Sequence, residues 1–106
     1  MTSRSPTIID ADWLDNEHAG QLLVSEFLEP EELSVDQLAR AIDVDGDRVS
    51  AVIEGRRPMD AELDLRLARY FGLSDGFFLR LQHRYEIVEA KRALNDALDR
   101  IVPRAA

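Results

Sequence analysis

Residues 33–45 of the chain read LSVDQLARAIDVD, which contains two helix-start signals separated by a short turn. Ser34 is a good N-cap residue, and apolar side chains follow it at helical spacing up to Ile42. Asp45 is the next good N-cap, so a tight turn around Asp43 must join this helix to another one. Ala39 supplies the small side chain that a close crossing of two helices needs. The stretch therefore predicts two short helices that pack against each other across a tight turn.

The second helix of the pair runs to a stop at Gly55. It places Val49, Val52 and Ile53 on one face, while Val44 fills the core from the turn. A pair built in this way projects its second helix outward, so that its N-terminal residues are free to enter the major groove of DNA. Because many helical hairpins satisfy the same pattern, it indicates a helix-turn-helix without deciding its function.

Helices are also predicted on both sides of this pair. The first helix of the chain carries an apolar stripe from Leu22 to Leu28 and is closed by Pro30, which cannot continue a helix. The fourth begins near the N-cap candidate Asp60 and ends at Gly72. No stretch of four or more residues alternates in the manner of a strand. With a fifth helix after these, the sequence predicts an all-α fold of five helices joined by short loops.

The fifth helix begins at Ser74 and carries an apolar stripe beyond the rest of the domain. Ile87, Leu94 and Ile101 lie seven residues apart and Leu98 extends the same face, so we call these four residues the C-terminal stripe. A single helix cannot bury such a stripe, which must pack on its own domain or on a second copy of the chain. Because the stripe runs past the domain, we favour a homodimer. The predicted dimer interface consists of Phe77, Phe78, Leu81, Tyr85, Val88 and Leu94.

The composition limits the kind of protein. The 106 residues are enough for one domain, and there is no cysteine for a disulfide, a thiol nucleophile or a thiolate metal site. Because neither a signal peptide nor an apolar run of membrane-spanning length is present, we expect a cytoplasmic protein without membrane contact. The predicted organisation is a flexible acidic leader over residues 1–17, a domain over 18–88 and a C-terminal helix extension over 89–106.

The net charge of −8 argues against indiscriminate binding to nucleic acid. However, residues 1–36 hold nine acidic residues and a single basic one, Arg4, so the excess lies in the first third of the chain. Residues 37–69, which include the helix-turn-helix, hold six arginines and seven acidic residues. This near-neutral region leaves sequence-specific binding to DNA open.

Residues that carry catalysis or bind metals do not form a recognisable set. His18 and His83 are the two histidines, and they lie in different helical regions without further ligands at suitable spacing. His18 is better placed to start the first helix. The acidic residues between Asp43 and Asp47 lack the glycine-centred loop and distal glutamate of an EF-hand calcium site. The sequence therefore predicts no metal, no cofactor and no enzymatic activity.

Several motifs resemble those of the Xre-type helix-turn-helix repressors. The central ones are Leu38-Ala39, Val44, Val49, Ile53, Gly55-Arg56-Arg57 and residues 65–72, LRLARYFG. The flanks are more specific, because the central motifs occur in many plain repressors. The family resembled at the flanks is that of the HigA/VapI-type antitoxins. Its opening is similar to residues 18–23 (HAGQLL) and 26–30 (EFLEP), and its ending is similar to residues 77–82 (FFLRLQ) and Tyr85-Glu86. The resemblance covers residues 18–88.

This resemblance implies a lambda-repressor-like, dimeric protein that binds double-stranded operator DNA, represses its own operon and associates with the nucleoid when bound there. It also implies neutralisation of a small basic HigB-type toxin that cleaves mRNA. The positions that match the family's DNA contacts are Gln37, Asp45, Gly46, Asp47, Arg48, Ser50, Glu54, Arg56 and Arg57. Arg48 and Ser50 are expected at base edges, where arginine on guanine is the commonest specific contact. Arg56 and Arg57 are expected on phosphates.

Some positions depart from the family pattern. Val35 stands where the family has a glutamine that donates to phosphate, and Asp43 stands where it has a turn glycine. Asp45, Asp47 and Glu54 place carboxylates where DNA would lie. A carboxylate can accept from a cytosine amino group, but it repels phosphate. Two alternatives therefore stay open, a stand-alone regulator without a toxin and a protein-interaction module whose DNA binding has decayed.

The acidic leader has two interpretations. It is either a solvated surface that keeps the protein soluble, or a surface that meets a basic toxin and steers its association. Under the second interpretation, Trp13 is an apolar anchor among acidic side chains. The residues assigned to toxin contact are Asp10, Asp12, Trp13, Asp15 and Glu17.

Overall fold

The structure, a computed structural model, describes residues 16–105 of the chain. Its helices are α1 (Ala19–Leu23), which continues as a π-helical turn (Val24–Leu28), α2 (Val35–Ala41), α3 (Gly46–Ile53), α4 (Ala61–Phe71) and α5 (Phe77–Leu94). A 3₁₀ segment, Asn95–Arg100, follows α5. Between residues 16 and 105 there is no strand, and no helix is long and apolar enough to cross a membrane. The predicted all-α fold with five helices is confirmed.

Side chains that accept from free backbone amides fix the starts of the first four helices. Ser34 Oγ accepts from the amide of Gln37 at 3.1 Å, and the carboxylate of Asp45 accepts from the amide two residues later, also at 3.1 Å. At the start of α4, Asp60 Oδ1 accepts from the amide of Leu63 at 2.9 Å. At the start of α1, His18 Nδ1 accepts from the amide of Gly20. The helix starts predicted from Ser34, Asp45 and Asp60 are confirmed, and His18 is a helix-start residue as expected.

α5 begins three residues later than the sequence indicates, and its cap comes from another helix. The sequence predicts the start at Ser74, whereas the helix follows Gly76, which has a left-handed φ of 89°. The buried carboxylate of Asp64 in α4 accepts from the amide of Gly76 at 2.6 Å and from two amides in the first turn of α5 at 2.7 and 3.1 Å. The prediction is wrong here because the capping residue lies in a different helix.

The core is built from apolar side chains of all five helices. The fully buried ones include Leu23, Leu38, Val49, Leu63, Leu67 and Phe78. α1 crosses α3 so closely at Gly20 that a Cβ atom there would overlap the carbonyl oxygen of Val52. This crossing requires glycine, and it fixes the position of α3 from the side opposite to its exposed face.

The predicted long C-terminal helix is confirmed as α5, which has 18 residues and ends at Leu94. α5 stops at Leu94 because Asn95 adopts φ 49° and ψ −118°, and the chain tightens into the 3₁₀ segment, as commonly happens at helix ends. Leu94, Leu98 and Ile101 are exposed, so no packing against the described chain holds these last turns in an α-helix. Within the extension predicted over residues 89–106, the α-helix ends at Leu94 and the 3₁₀ segment follows it.

Candidate nucleic-acid interface

The turn between α2 and α3 is stabilised by its own backbone hydrogen bonds and by a side chain of α4. Asp43 adopts a left-handed φ of 59°, which its short polar side chain permits, and the amide of Val44 donates to the carbonyl of Ala39 at 2.9 Å. Arg66 Nη1 in α4 donates to the carbonyl oxygens of Ile42 at 2.9 Å and of Asp43 at 3.3 Å. The tight turn lies where the sequence predicts it, and α4 stabilises it.

α3 turns one face to the core and leaves the other accessible. Val49, Ala51 and Val52 are buried. Among the residues predicted to contact DNA, the exposed ones are Gln37, Asp45, Asp47, Glu54, Arg56 and Arg57, and the half-buried ones include Gly46 and Ser50. The α2–α3 pair therefore has the shape of a helix-turn-helix whose second helix can enter a groove.

Gln37 serves α2 as well as the exposed surface. Its Oε1 accepts from the amide of Ser34 at 2.9 Å and completes a capping box with the Ser34 hydroxyl. The carbonyl end of the side chain is thus used by the helix start, and the NH₂ group is the end that can donate to a phosphate.

Arg48, which is predicted at a base edge, forms an ion pair within the chain. It extends from α3 to the start of α4, where Nη2 contacts both carboxylate oxygens of Asp60 at 2.9 and 3.0 Å and Nη1 lies 3.4 Å from Glu62 Oε1. The hydrogen bond to Asp60 raises the pKa of Arg48 despite burial. The expectation that Arg48 reaches a base edge stays a prediction, and in this structure α4 engages its guanidinium.

The carboxylate of Asp60 carries two contacts at once. Burial by itself raises the pKa of Asp60, but the hydrogen bonds from the Leu63 amide and from Arg48 outweigh it and lower the pKa below its usual value. The sequence identifies Asp60 as a cap but not as the partner of Arg48. The two lie twelve residues apart in different elements, and no helical spacing connects them.

The loop after α3, residues 54–60, carries the two adjacent arginines. The amides of Arg56 and Arg57 donate to the carbonyl of Ala51 at 2.8 and 3.2 Å and close the end of the helix. Arg56 Nη2 pairs with Glu54 Oε1 at 2.8 Å, and both side chains are exposed. Such surface pairs contribute little, so Arg56 can exchange this carboxylate for a phosphate. Glu54 is consequently a less repulsive neighbour of DNA than its charge alone suggests.

The two histidines have different surroundings. His18 Nδ1 accepts from the amides of Gly20 at 3.0 Å and Gln21 at 3.3 Å, and its ring meets Tyr85 edge-to-face at a centroid distance of 5.6 Å. Burial lowers the pKa of His18 against a smaller opposing effect of Glu17. In residues 16–105 no three histidine, aspartate or glutamate side chains are grouped to hold a metal ion.

Comparisons with known proteins agree with this geometry, although no model of a known protein family matches the chain. The chain is 35% identical over 75 residues to virulence-associated protein I of Dichelobacter nodosus, an alignment that covers 71% of the chain and 69% of the relative. The crystal structure of PA4674 from Pseudomonas aeruginosa, in complex with its operator DNA, superposes with a TM-score of 0.80 at 33% identity and covers 85% of the chain and 96% of that protein. Pseudomonas aeruginosa antitoxin HigA, with the higBA promoter, superposes with a TM-score of 0.78 at 32% identity and covers 85% and 99%.

The chain belongs to the HigA family of Xre-type helix-turn-helix antitoxins. This membership confirms the resemblance seen in the motifs of residues 18–88. Proteins of this family are DNA-binding antitoxins and regulators rather than enzymes, in agreement with the prediction that the chain is not an enzyme.

In this HigA-family chain, the residues predicted at a dimer interface fall into different environments. Phe78 is fully buried in the core, so its assignment to an interface is corrected because none of its surface is left for a second copy. Leu94 is exposed. Half-buried along α5 are Phe77, Leu81, Tyr85 and Val88.

Most of the predicted toxin contacts cannot be placed. Outside the described residues lie Asp10, Asp12, Trp13 and Asp15. Glu17 is exposed. Next to it, Asn16 Nδ2 donates to the carbonyl of Tyr85 at 3.0 Å and to Glu89 Oε2 at 3.1 Å, which attaches the segment before α1 to α5.

Proposed function

We propose that this protein is a DNA-binding antitoxin of a type II toxin–antitoxin module, which represses its own operon and neutralises a HigB-type mRNA-cleaving toxin in the cytoplasm. The observation that carries the proposal is the exposed face of α3 beside the 54–60 loop, on a fold whose solved relatives include proteins with operator and promoter DNA. A stand-alone regulator and a module without DNA binding are the competing functions, and the experiments below separate them.

At the proposed DNA interface, α3 lies in the major groove and the 54–60 loop on the backbone. Asp45 and Asp47 are exposed at the start of α3 and can accept from the amino groups of cytosine or adenine. Ser50, half-buried on the next turn, can donate or accept. Arg56 and Arg57 neutralise phosphates. Because the carboxylates offset these charges, binding to DNA of unrelated sequence is expected to be weak.

The proposed dimer uses α5. Leu94 and the remaining members of the C-terminal stripe are 42–67% exposed, and burying these apolar surfaces against a second copy is favourable. A two-fold dimer that binds both half-sites of an operator also needs its two recognition helices about 34–36 Å apart, the spacing of successive major grooves on one side of DNA. The proposed interface comprises Phe77, Leu81, Tyr85, Val88 and Leu94 together with the stripe.

The proposed toxin contact is the acidic leader. A toxin that grips RNA is basic, and an acidic segment raises its rate of association. Glu17 is exposed at the start of the described chain, and Asn16 attaches this segment to α5. Deleting residues 1–15 should therefore weaken toxin binding at low salt, and unchanged affinity would assign the contact to another surface.

The DNA interface is tested by the mobility shift of DNA from upstream of the gene at about 50 and 200 mM salt. Arg56→Ala with Arg57→Ala should weaken binding and reduce the slope of log affinity against log salt by about 1.8 per protomer, or about 0.9 for each lost phosphate contact. A matched control, Arg69→Ala with Arg104→Ala, removes two exposed arginines elsewhere and should keep the slope. An unchanged shift in the first variant would contradict the assignment of the phosphate contacts.

The toxin is tested by co-expression with the product of the neighbouring reading frame, which the proposal expects to be a small basic protein. Relief of growth arrest supports an antitoxin. Growth arrest that persists while the upstream DNA is bound supports a stand-alone regulator. Relief without any DNA binding supports a protein-interaction module.

A further inference from the structure

Arg48 and Asp60 form a link that closes the 54–60 loop across its base. Arg48 leaves α3 before the loop and Asp60 begins α4 after it, and Nη2 contacts both carboxylate oxygens at 2.9 and 3.0 Å. Asp60 Oδ1 also accepts from the amide of Leu63 at 2.9 Å. One carboxylate thus connects the proposed recognition helix to the start of α4, with Arg56 and Arg57 on the loop between them.

The link is better protected than an ordinary surface ion pair. The Arg48 side chain is 22% exposed and that of Asp60 is 39% exposed. Met59, which precedes Asp60, is buried in the core and holds the same end of the loop. The Nε of Arg48 is buried and has no acceptor among the described residues, an arrangement that stability alone does not favour.

We propose that Arg48 is a positioning residue for DNA recognition, which acts through Asp60 to set the angle of α3 against the loop that carries Arg56 and Arg57. The inference rests on the proposed DNA binding. It adds that Arg48 fixes the position of α3, which reads the bases, relative to the loop that contacts the phosphates. Operator recognition requires both sets of contacts at the same time. A loop that shifts relative to α3 loses this match even when every contacting residue is intact.

Direct reading of a base by Arg48 is a poor fit to the same geometry. Both terminal nitrogens already face carboxylates, Asp60 at 2.9 Å and Glu62 at 3.4 Å. Moving the guanidinium to a base would leave these two carboxylates without their partner close to the proposed DNA backbone. The electrostatic cost of that arrangement adds to the loss of the link.

The test compares four variants with the wild-type protein. Arg48→Met keeps an apolar stem and removes the donors. Asp60→Ser keeps a side-chain cap for α4 and removes the acceptor for Arg48. The third variant combines both changes, and Arg48→Lys keeps a charge that can reach Asp60. Dissociation constants are measured for the upstream operator and for a random duplex of equal length over a salt series. The folded fraction is determined by circular dichroism at the same temperature.

A positioning role predicts that Arg48→Met and Asp60→Ser each weaken operator binding about tenfold, and that the double variant is no weaker than either, because coupled residues are not additive. The double variant removes one charge of each sign, so its affinity for the random duplex and its salt slope should stay as in the wild type, and Arg48→Lys should recover part of the operator preference. Asp60→Ser is the sharpest variant, since removing a negative charge near DNA would strengthen binding by simple electrostatics.

Three outcomes overturn the inference. If Asp60→Ser binds as well as the wild type while Arg48→Met loses about 0.9 in salt slope or its preference at one base pair, Arg48 contacts DNA directly. If both variants lower only thermal stability and leave the operator preference intact, the link is merely structural. If the wild-type protein itself does not distinguish operator from random duplex, the proposed function fails and this inference with it, a result visible before any variant is examined.

Discussion

The helix-turn-helix and the C-terminal segment treat their apolar side chains in opposite ways. Leu38 and Val49 of α2 and α3 are completely buried within one chain, whereas Leu98 and Ile101 are 42% and 67% exposed. Both regions have clear apolar periodicity in the sequence. Periodicity therefore identifies the apolar face that must be buried, but it does not identify the element that buries it. In the helix-turn-helix the cover is α1 and α4, and at the C-terminus we propose a second copy.

The largest expected effect comes from truncating one apolar side chain in each region. Leu67→Ala in the core should lower the free energy of unfolding by about 2–5 kcal/mol, because it removes buried contacts and leaves a cavity. Leu98→Ala should change it by about 0.5 kcal/mol or less at concentrations where the protein is monomeric. Denaturant unfolding measures both. Equal losses would mean that Leu98 is covered by its own chain and would remove the contrast.

The next effect concerns the dimer. Leu94→Asp places a charge in the middle of the C-terminal stripe and should raise the dimer dissociation constant by about a hundredfold, equivalent to about 2.8 kcal/mol. Ala93→Asp adds the same charge at a neighbouring exposed position outside the stripe and serves as the control. Sedimentation measures the association. If both variants dimerise like the wild type, the stripe does not form the interface.

Between the two regions lies the start of α5, which depends on Asp64. Asp64→Ala should lower the free energy of unfolding by about 1–3 kcal/mol, since it leaves buried amides at this helix start without an acceptor. Asp96→Ala removes an exposed carboxylate from the 3₁₀ segment and should have almost no effect. Denaturant unfolding provides the comparison. A neutral Asp64→Ala would show that α5 starts without this cap.

The smallest effect is a pH dependence at the start of α1. His18 caps the helix through an unprotonated Nδ1, and burial lowers its pKa below the ordinary 6.5. As the pH falls below 6.5 the unfolded chain takes up a proton that the folded chain resists, so stability is present above this pH and is lost below it.

The replacement His18→Asn keeps a capping side chain that does not titrate. It should remove this part of the pH dependence, about 1 kcal/mol or less, while His83→Asn at an exposed position should retain it. The measurement is the free energy of unfolding between pH 7 and pH 5. Identical pH profiles for the wild type and His18→Asn would contradict the role of His18.

The sequence predicts the helix-turn-helix well because its signals are local. Ser34 and Asp45 cap helices within three residues of themselves, and the left-handed backbone at Asp43 suits the residue that occupies it. Contacts between distant positions could not be predicted in this way. The cap that Asp64 provides for α5 and the ion pair between Arg48 and Asp60 both depend on how α4 packs against its neighbours. No local sequence pattern encodes this packing.

The exact end of the C-terminal helix could not be predicted for a related reason. A seven-residue repeat is compatible with a straight helix through Ile101, but it does not indicate where the backbone leaves the α-helical conformation. The backbone turns at Asn95, and the last residues tighten into the 3₁₀ segment. At Arg48, likewise, the family pattern suggests a base contact but does not predict the intramolecular carboxylate that engages the side chain.

The close crossing at Gly20 has a mechanical consequence. At Gly20 the backbone of α1 lies directly against the Val52 carbonyl, so no side chain between them can change its rotamer when one helix moves against the other. A rotation or shift of α1 is therefore transmitted directly to the backbone of α3. The first helix and the proposed reading helix are therefore expected to move together, so a side chain added at Gly20 should also displace the exposed face of α3 on the opposite side.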